Sequence, residues 1–492
     1  MERITRLASV WGGTFIFFCA PLLVHAADLE TNKSVGTAIS SIVSIATLGA
    51  KGDGISDDSK AEQDAIDKAA PFSTVLWPAG KACYLTRTTL IVRKPIILAG
   101  AGTLCFKQGP GLRIATDNFS INGLTLVGPQ SDLYSLSEVA LFISGEFHAG
   151  SPPHFLSKLS IENVRIRSWG GYGIYFAYVD GFRVAKNEID NIGYAGVGGI
   201  SVRNGVIDSN SVHRIGAVGD PDNNSYGVFV SRSTSDAGDL VSQPRSMNVV
   251  ISKNFVDGVP TWEALDTHAG NNIQFIENTT TNSNVGVAAV SSKNHLGAYV
   301  FGPLNIVIRG NRVSSGVDDG TRGVGVYLEG TATESATGRV AENVVTAFGT
   351  ANSSRGAAIN ITQTYGVTVA QNIIHAPSPS GIFSGGAATK VNITRNVITD
   401  PWTDAPVVAF VSCINFIGEG NSAQVSDNQC NERASKHFFN LQSSASAAVR
   451  MPAFSKEDIQ LSRNGTNARN AVSYTPGGIN HVLHNLAPSR SH

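Results

Sequence analysis

Asparagine recurs after short apolar runs along most of this 492-residue chain, at Asn163, Asn187, Asn210, Asn254, Asn278, Asn311, Asn343, Asn372, Asn396 and Asn428. The runs look like Val249-Val250-Ile251-Ser252-Lys253-Asn254 and Val391-Asn392-Ile393-Thr394-Arg395-Asn396. The shortest intervals are 23 and 24 residues, the longer ones are 29 to 33, and one is 44. A unit of that size with strands of three to five residues cannot bury its apolar face alone, so successive units must stack as coils of a solenoid. Longer intervals are then one coil plus a loop, and the longest is two coils. The repeated Asn is expected at one turn of each coil, tolerating a left-handed backbone and bonding the next Asn along the stack.

Composition agrees with that architecture. Fifty-one Gly and only 15% charged residues suit many tight turns between short apolar strands. The formal net charge of -1 carries no basic surface, which argues against a nucleic-acid partner.

A second strand lies between the asparagines: Gly173-Ile174-Tyr175-Phe176, Gly199-Ile200-Ser201-Val202, Gly227-Val228-Phe229-Val230, Gly286-Val287-Ala288-Ala289, Gly325-Val326-Tyr327-Leu328 and Ala358-Ile359-Asn360-Ile361. Alternation turns the first and third residues after Gly inward and the second and fourth outward. The outward pairs become Tyr175/Ala177, Ser201/Arg203, Phe229/Ser231, Asp266/His268, Ala288/Val290, Tyr327/Glu329 and Asn360/Thr362. With coils about 4.8 Å apart, Arg203 falls two coils from Asp266 on one side and Tyr327 and Glu329 two coils away on the other. Loops at 220–224, 231–244 and 291–303 are placed to wall a groove along this face.

Met1 to Ala26 reads as a secretory signal, with Arg3 and Arg6 before an apolar core at Val10 to Leu23 and a Val24-His25-Ala26 cleavage site. Cys19 lies inside it without the small residue before it that a lipid anchor needs. No later stretch approaches the roughly 18 apolar residues of a membrane span, so the mature chain is expected to be secreted or periplasmic, off the membrane. Export leaves an even set of cysteines, and we expect the disulfides Cys83–Cys105 and Cys413–Cys430.

Near the start, Val43-Ser44-Ile45 runs into Gly49-Ala50-Lys51-Gly52-Asp53-Gly54-Ile55-Ser56-Asp57-Asp58, a turn rich in Gly and Asp with Ser56 or Asp57 as the helix N-cap. Ala61, Ala65, Ile66 and Ala69 then mark a short amphipathic helix ending before Pro71, and Val75-Leu76-Trp77-Pro78-Ala79-Gly80 is a buried strand. This segment, over about residues 43 to 106, resembles the entry segment of the pectate-lyase superfamily, which includes rhamnogalacturonases, epimerase-like proteins and many phage tailspikes. The resemblance implies an all-β, right-handed single-stranded parallel β-helix whose open end the short helix caps, with the Asp/Gly cluster as a structural turn. The expected organisation is a signal peptide at 1–26, a lead at 27–42, the β-helix at 43–431 and a C-terminal cap and tail at 432–492.

Within that scaffold Trp262-Glu263-Ala264-Leu265-Asp266-Thr267-His268-Ala269-Gly270 breaks the repeat and holds three titratable side chains within six residues. Asp266 and His268 share the outer face, and a carboxylate beside a His can orient the ring as a general base. The pair is similar to the Asp-Pro-His segment of mannuronan epimerases, although Glu263 stands where those enzymes have Tyr and Thr267 where they have Pro. Strand parity turns Glu263 to the other side unless the chain bends, and Pro260 offers such a bend. With a bend, Glu263 and Asp266 make a carboxylate pair for hydrolysis; Glu329 with Asp266 is another. The multi-Asp arrangement of polygalacturonases is missing.

The expected activity is cleavage or modification of a polysaccharide, uronate-containing, at Asp266, His268 and Glu263. Lyase or epimerase chemistry, glycoside hydrolysis and non-catalytic sugar adhesion all stay open. Arg203, Tyr327, Glu329, Trp262, Phe229 and Tyr175 are the candidate substrate contacts, the aromatic ones by stacking on sugar rings. Arg232, Lys293 and His295 lie on the flanking loops. No metal-ligand spacing is recognisable; calcium is the one cofactor the resemblance admits.

Overall fold

In the computed structural model the described residues are 41–80, 82–129, 134–216, 224–233, 239–315, 323–348, 357–377, 380–399, 412–417 and 420–431, with the backbone of four later strands at 437–442, 459–462, 465–466 and 470–474. The expected signal peptide, and nearly all of the lead after it, lie outside them. Among the described residues no helix is long and apolar enough to cross a membrane.

Short Val- and Ile-rich strands wind as a right-handed parallel β-helix. One face is a sheet of 15 strands, from Ile42–Ser44 through Val391–Thr394 to Ile459–Ser462. Two other series of strands join in a 26-stranded sheet, because Phe255–His268 and Thr279–Val290 each run unbroken around the corner between them. Neighbours pair in parallel and in register, as in Val249↔Ile273 and Ile251↔Phe275. Like side chains therefore stack on like, and one continuous core of Val, Ile, Leu and Phe fills the coil interior at or near zero exposure. Pairing continues past Asn431, where the sequence pattern fades: His437–Gln442 adds to Ser412–Ile417 and Asn470–Tyr474 adds to His437–Leu441.

The Asn row is a buried ladder. From Asn187 to Asn396 each side-chain amide donates to the Oδ1 of the Asn one coil on, at 2.9–3.0 Å, ending on Asn428. The same amides donate to strand carbonyls, such as Asn278 Nδ2 to Ile251 O at 2.9 Å, and each Oδ1 also accepts the backbone N–H of the preceding Asn. The left-handed backbone falls one residue earlier than expected, on Lys186, Ser209, Lys253, Glu277, Glu342, Gln371, Arg395 and Asp427, with φ between 53° and 59°. Asn163 is one of these left-handed residues (φ 54°), and Val164 takes the ladder position, so the ladder starts at Asn187. Burial is the reason for the shift. The amide must point inward to close the ladder, which leaves the residue before it to make the bend.

At the first coils the helix Ser59–Lys68 inserts Ala65 and Ile66 into the core. Its N-cap is Asp58 and not Ser56 or Asp57; Asp58 accepts the N–H groups of Lys51 and Gly52 at 2.7 and 3.0 Å, while Asp57 accepts from Ser59. Asp53 closes the loop through Ile55, Ser56 and its hydroxyl. The Asp/Gly cluster is thus a structural turn. Both expected disulfides are formed, with Cα separations of 5.8 Å for Cys83–Cys105 and 6.2 Å for Cys413–Cys430.

Replacing Asn278 by Ala would orphan the Asn254 amide and N–H and the Ile251 carbonyl in the interior. At about 1–3 kcal/mol for each buried polar group left unpaired, the loss is expected to be on the order of 3 kcal/mol or more. A urea titration of Asn278→Ala should show a clearly lowered midpoint.

Candidate functional site

Strict alternation fails at one corner of six successive coils, and this failure builds the site. A Cβ on Gly173, Gly196, Gly227, Gly286 or Gly325 would meet the core side chains Ile189, Val212, Val256, Val313 or Val345. The next residue, Ile174, Val197, Val228, Val287 or Val326, is also fully buried in the core. Two successive residues therefore point inward, and residues three apart emerge on the same outer face. Their rings touch in the coils below the site: Tyr172 and Tyr175 have centroids 5.0 Å apart, and Tyr226 and Phe229 5.1 Å.

In the coil of interest Ala264 and Leu265 are the inward pair, both fully buried. Glu263 and Asp266 are consequently brought to one side. Entry is irregular as well: between Val259 and Glu263 the strand takes four steps where its neighbour, Ser283 to Val285, takes two. Pro260 lies in that bulge, where its missing N–H does least harm.

Glu263 sits in the row Tyr172–Ala195–Tyr226–Glu263–Val285, and Asp266 in the row Tyr175–Gly198–Phe229–Asp266–Ala288–Tyr327–Asn360. The expected phase holds for five of the six reference strands. Arg203 is the correction: the strand in register is Ala195–Ile200, entered at Gly196 and not Gly199, so Gly198 and Ile200 occupy the face. Arg203 belongs to the 15-stranded sheet, where its Nε donates to Asp180 Oδ2 at 2.8 Å and its guanidinium lies over Phe155.

His268 joins the two acids. Its Nε2 is 3.5 Å from Asp266 Oδ2 and 4.0 Å from Glu263 Oε2, and its Nδ1 is 3.1 Å from the carbonyl of Ser291. A carbonyl only accepts, so Nδ1 carries a hydrogen. The backbone N–H of His268 bonds Ser231 Oγ at 2.9 Å, and that hydroxyl faces Asp266 Oδ2 at 3.4 Å. Glu263 is 3% and Asp266 0% exposed, whereas the His268 side chain keeps 30% of its surface. Glu263 Oε2 and Asp266 Oδ1 have no hydrogen-bond partner.

Burial, then the charge of Asp266, lifts the Glu263 carboxyl well above its ordinary range, with a bond from the Trp262 side chain opposing. Burial lifts Asp266 to about 6 against the opposing pull of His268 and of bonds from Ser231 and the Thr267 N–H. Near neutrality Glu263 thus holds the proton and Asp266 the charge. The three side chains place one ligating atom each within 4.8 Å of one another. Two carboxyls and an imidazole do not match calcium, which takes six to eight oxygens.

Glu263, His268 and Trp262 open onto a cavity of about 730 Å³ that extends toward Tyr327, Glu329 and Asn360. Its rim includes Tyr299 on the antiparallel pair Ser292–Lys293/Tyr299–Phe301. Arg232 is the tie behind that wall: it donates to the carbonyls of Lys293, Asp239 and Gln243 and stacks over Phe301. Lys293 lies over Tyr299, 4.9 Å from the ring centre. Phe229 is 5% exposed, its ring filling the space over Gly198, and Tyr175 is stacked on Phe142, so neither offers an open ring face as expected. Tyr194 and Tyr226 were missed by sequence reasoning. They bond each other beside the acids, and burial pushes Tyr194 up to about 12 and Tyr226 further. An aromatic just ahead of the corner Gly, as Tyr226 is, was the available signal.

Residues 156–299, which include this centre, match the family model described as a right handed beta helix region. Depolymerase 1, capsule KN3-specific, of Klebsiella phage KN3-1 is 27% identical over 191 residues, 34% of this chain and 24% of that protein. The match thus spans about a quarter of the relative's length. Among solved structures, PfbA, a surface adhesin of Streptococcus pneumoniae, aligns with a TM-score of 0.50 at 16% identity, covering 88% of this chain and 93% of that one. The N-terminal fragment of bacteriophage phi29 gene product 12 aligns at 0.51 and 14%, covering 86% and 81%. These likenesses are of fold.

A carboxyl whose folded pKa is raised gives a stability that is whole below its unfolded pKa and is lost as pH rises through the folded one. Glu263→Gln removes that loss. Thermal melts should show the variant more stable than the parent at pH 8, by about 1 kcal/mol or more, and the gap closing near pH 4.

Proposed function

We propose that this chain is an exported glycoside hydrolase that cuts a polysaccharide along the outer face of its β-helix. The observation that carries the reading is Glu263, turned to the side of Asp266 and His268, buried, and held protonated where it opens onto the cavity. A neutral carboxylic acid at that place is a proton donor for a glycosidic oxygen. Asp266 is fully buried and does not line the cavity, so its part is to keep the proton on Glu263 by its charge. Glu329 lines the same cavity two coils from His268, roughly 10 Å away along the axis. Glu329 is thereby the second carboxyl of the cavity, the one assigned to activate a water for an inverting displacement. In the step, the Glu263 proton passes to the leaving oxygen as the C1–O bond breaks. Water, giving its proton to Glu329, forms the new bond at C1.

His268 is poorly placed as the base of an elimination or epimerisation. One ring nitrogen faces Ser291 O and the other faces two carboxyls, which leaves neither aimed at a substrate proton. The capsule depolymerase relative supports a polymer substrate, and membership of the pectate-lyase superfamily is part of the same proposal.

A panel of bacterial capsular and plant polysaccharides should yield new reducing ends with one of them. Glu263→Gln and Glu329→Gln should each lower kcat about 10²-fold or more, and the product should appear with inverted anomeric configuration by NMR. Activity should fall as pH rises through the raised pKa of Glu263, since the donor is then lost. Unsaturated uronate ends would replace hydrolysis by elimination, and saturable binding without product would leave an adhesion module.

A further inference from the structure

A second cavity, of about 450 Å³, opens on the same outer face around Arg113, Phe142, Ser144 and His154, with Asp117 and Glu146 also in its lining. Its place is fixed by register. Arg113 pairs with Phe142, and the row continues through Tyr175, Gly198 and Phe229 to Asp266. Phe142 therefore lies four coils from Asp266, about 19 Å along the axis.

The surface between the two cavities is an unbroken strip of aromatic rings. Centroid separations are 5.3 Å for Phe142–Tyr175, 5.0 Å for Tyr175–Tyr172, 5.1 Å for Tyr172–Tyr194 and 5.5 Å for Tyr194–Tyr226, which ends beside Glu263. Along this strip Tyr172, Tyr175 and Tyr194 are half-buried, and it is their phenol edges, not their ring faces, that suit the hydroxyl surface of a sugar chain.

The two cavities differ in whether they offer a cation. Glu263 and Glu329 line the cutting cavity, and neither Lys nor Arg is among its lining residues. A sugar carboxylate placed there would face Glu329 and meet no cation among the lining residues. At the second cavity Arg113 is exposed and lies 5.8 Å over the Phe142 ring. No carboxylate among the described residues forms an ion pair with it. Of the acids in the lining, Asp117 Oδ1 accepts from the N–H and hydroxyl of Ser157 at 2.6 and 3.0 Å, and Glu146 is exposed and faces His148 at 3.8 Å. An exposed guanidinium beside the ring presents a planar fork of donors to a carboxylate.

We propose that the Arg113 cavity is a second polysaccharide-binding site that takes an acidic sugar, several rings away from the neutral linkage cut at Glu263. The substrate class is then a heteropolysaccharide in which acidic units alternate with neutral ones. The inference rests on the hydrolase reading for the cut bond, while the binding site is tested without turnover.

The probe is fluorescently labelled hyaluronan, an alternating acidic and neutral chain, titrated into the full-length Glu263→Gln protein at low salt. Saturable binding is expected. Arg113→Ala in that background should weaken it roughly tenfold, Arg113→Lys should restore part of it, and added salt should shrink the difference. An Arg113→Ala protein that binds as the parent does, or a parent that binds no hyaluronan, overturns the proposal. Unchanged melting temperature checks that the exposed substitution has not disturbed the fold. Failure of the hydrolase reading would appear separately, as undiminished turnover in Glu263→Gln.

Discussion

Everything in this molecule depends on each coil finding the same surface on its neighbour. In a parallel stack the backbone bonds run along the axis, and the buried Asn ladder adds a second line of bonds that tolerates no slip. An amide that accepts from the amide before it and donates to the one after is satisfied only if the coils stay in register. Loops of different length can then be inserted between strands without moving the face, as the intervals between Asn254, Asn278 and Asn311 demonstrate. A chain with a rigid lattice and variable borders can hold side chains in fixed relation across many coils. Chemistry needs that more than it needs a deep core.

Much of the architecture was legible because the period is written twice, once in the asparagines and once in the corner glycines. The stack, the helix at its start, both disulfides and the outward row of Phe229, Asp266, Ala288, Tyr327 and Asn360 follow from those two signals. The misreadings have local causes. Ala195-Gly196-Val197-Gly198-Gly199-Ile200 offers three glycines, and choosing the last one slid Arg203 onto the wrong sheet. General preference puts the left-handed turn on Asn, but an amide required inside the wall cannot also make the bend.

Glu263 is the more instructive case. Period-two alternation is a property of a flat ribbon, and a coil must turn. At the turn Ala264 and Leu265 both face the core, so the rule that separates residues three apart is suspended where the acids lie. Small residues at that corner in coil after coil, Gly173, Gly196, Gly227, Gly286 and Gly325, were the sequence's sign of it. What a sequence cannot convey is the protonation balance, because it arises from burial of both carboxyls and the missing partners of Glu263 Oε2 and Asp266 Oδ1.

The doubled inward corner also makes every coil an equivalent vacancy. The position filled by Glu263 and Asp266 is filled by Tyr226 and Phe229 one step below and by Val285 and Ala288 one step above, in the same register. Two side-chain exchanges would thus relocate an acid pair by one rung while the walls and the aromatic strip stayed where they are. The scaffold works as a ruler, on which any two side-chain clusters of the outer face stand a whole number of rungs apart.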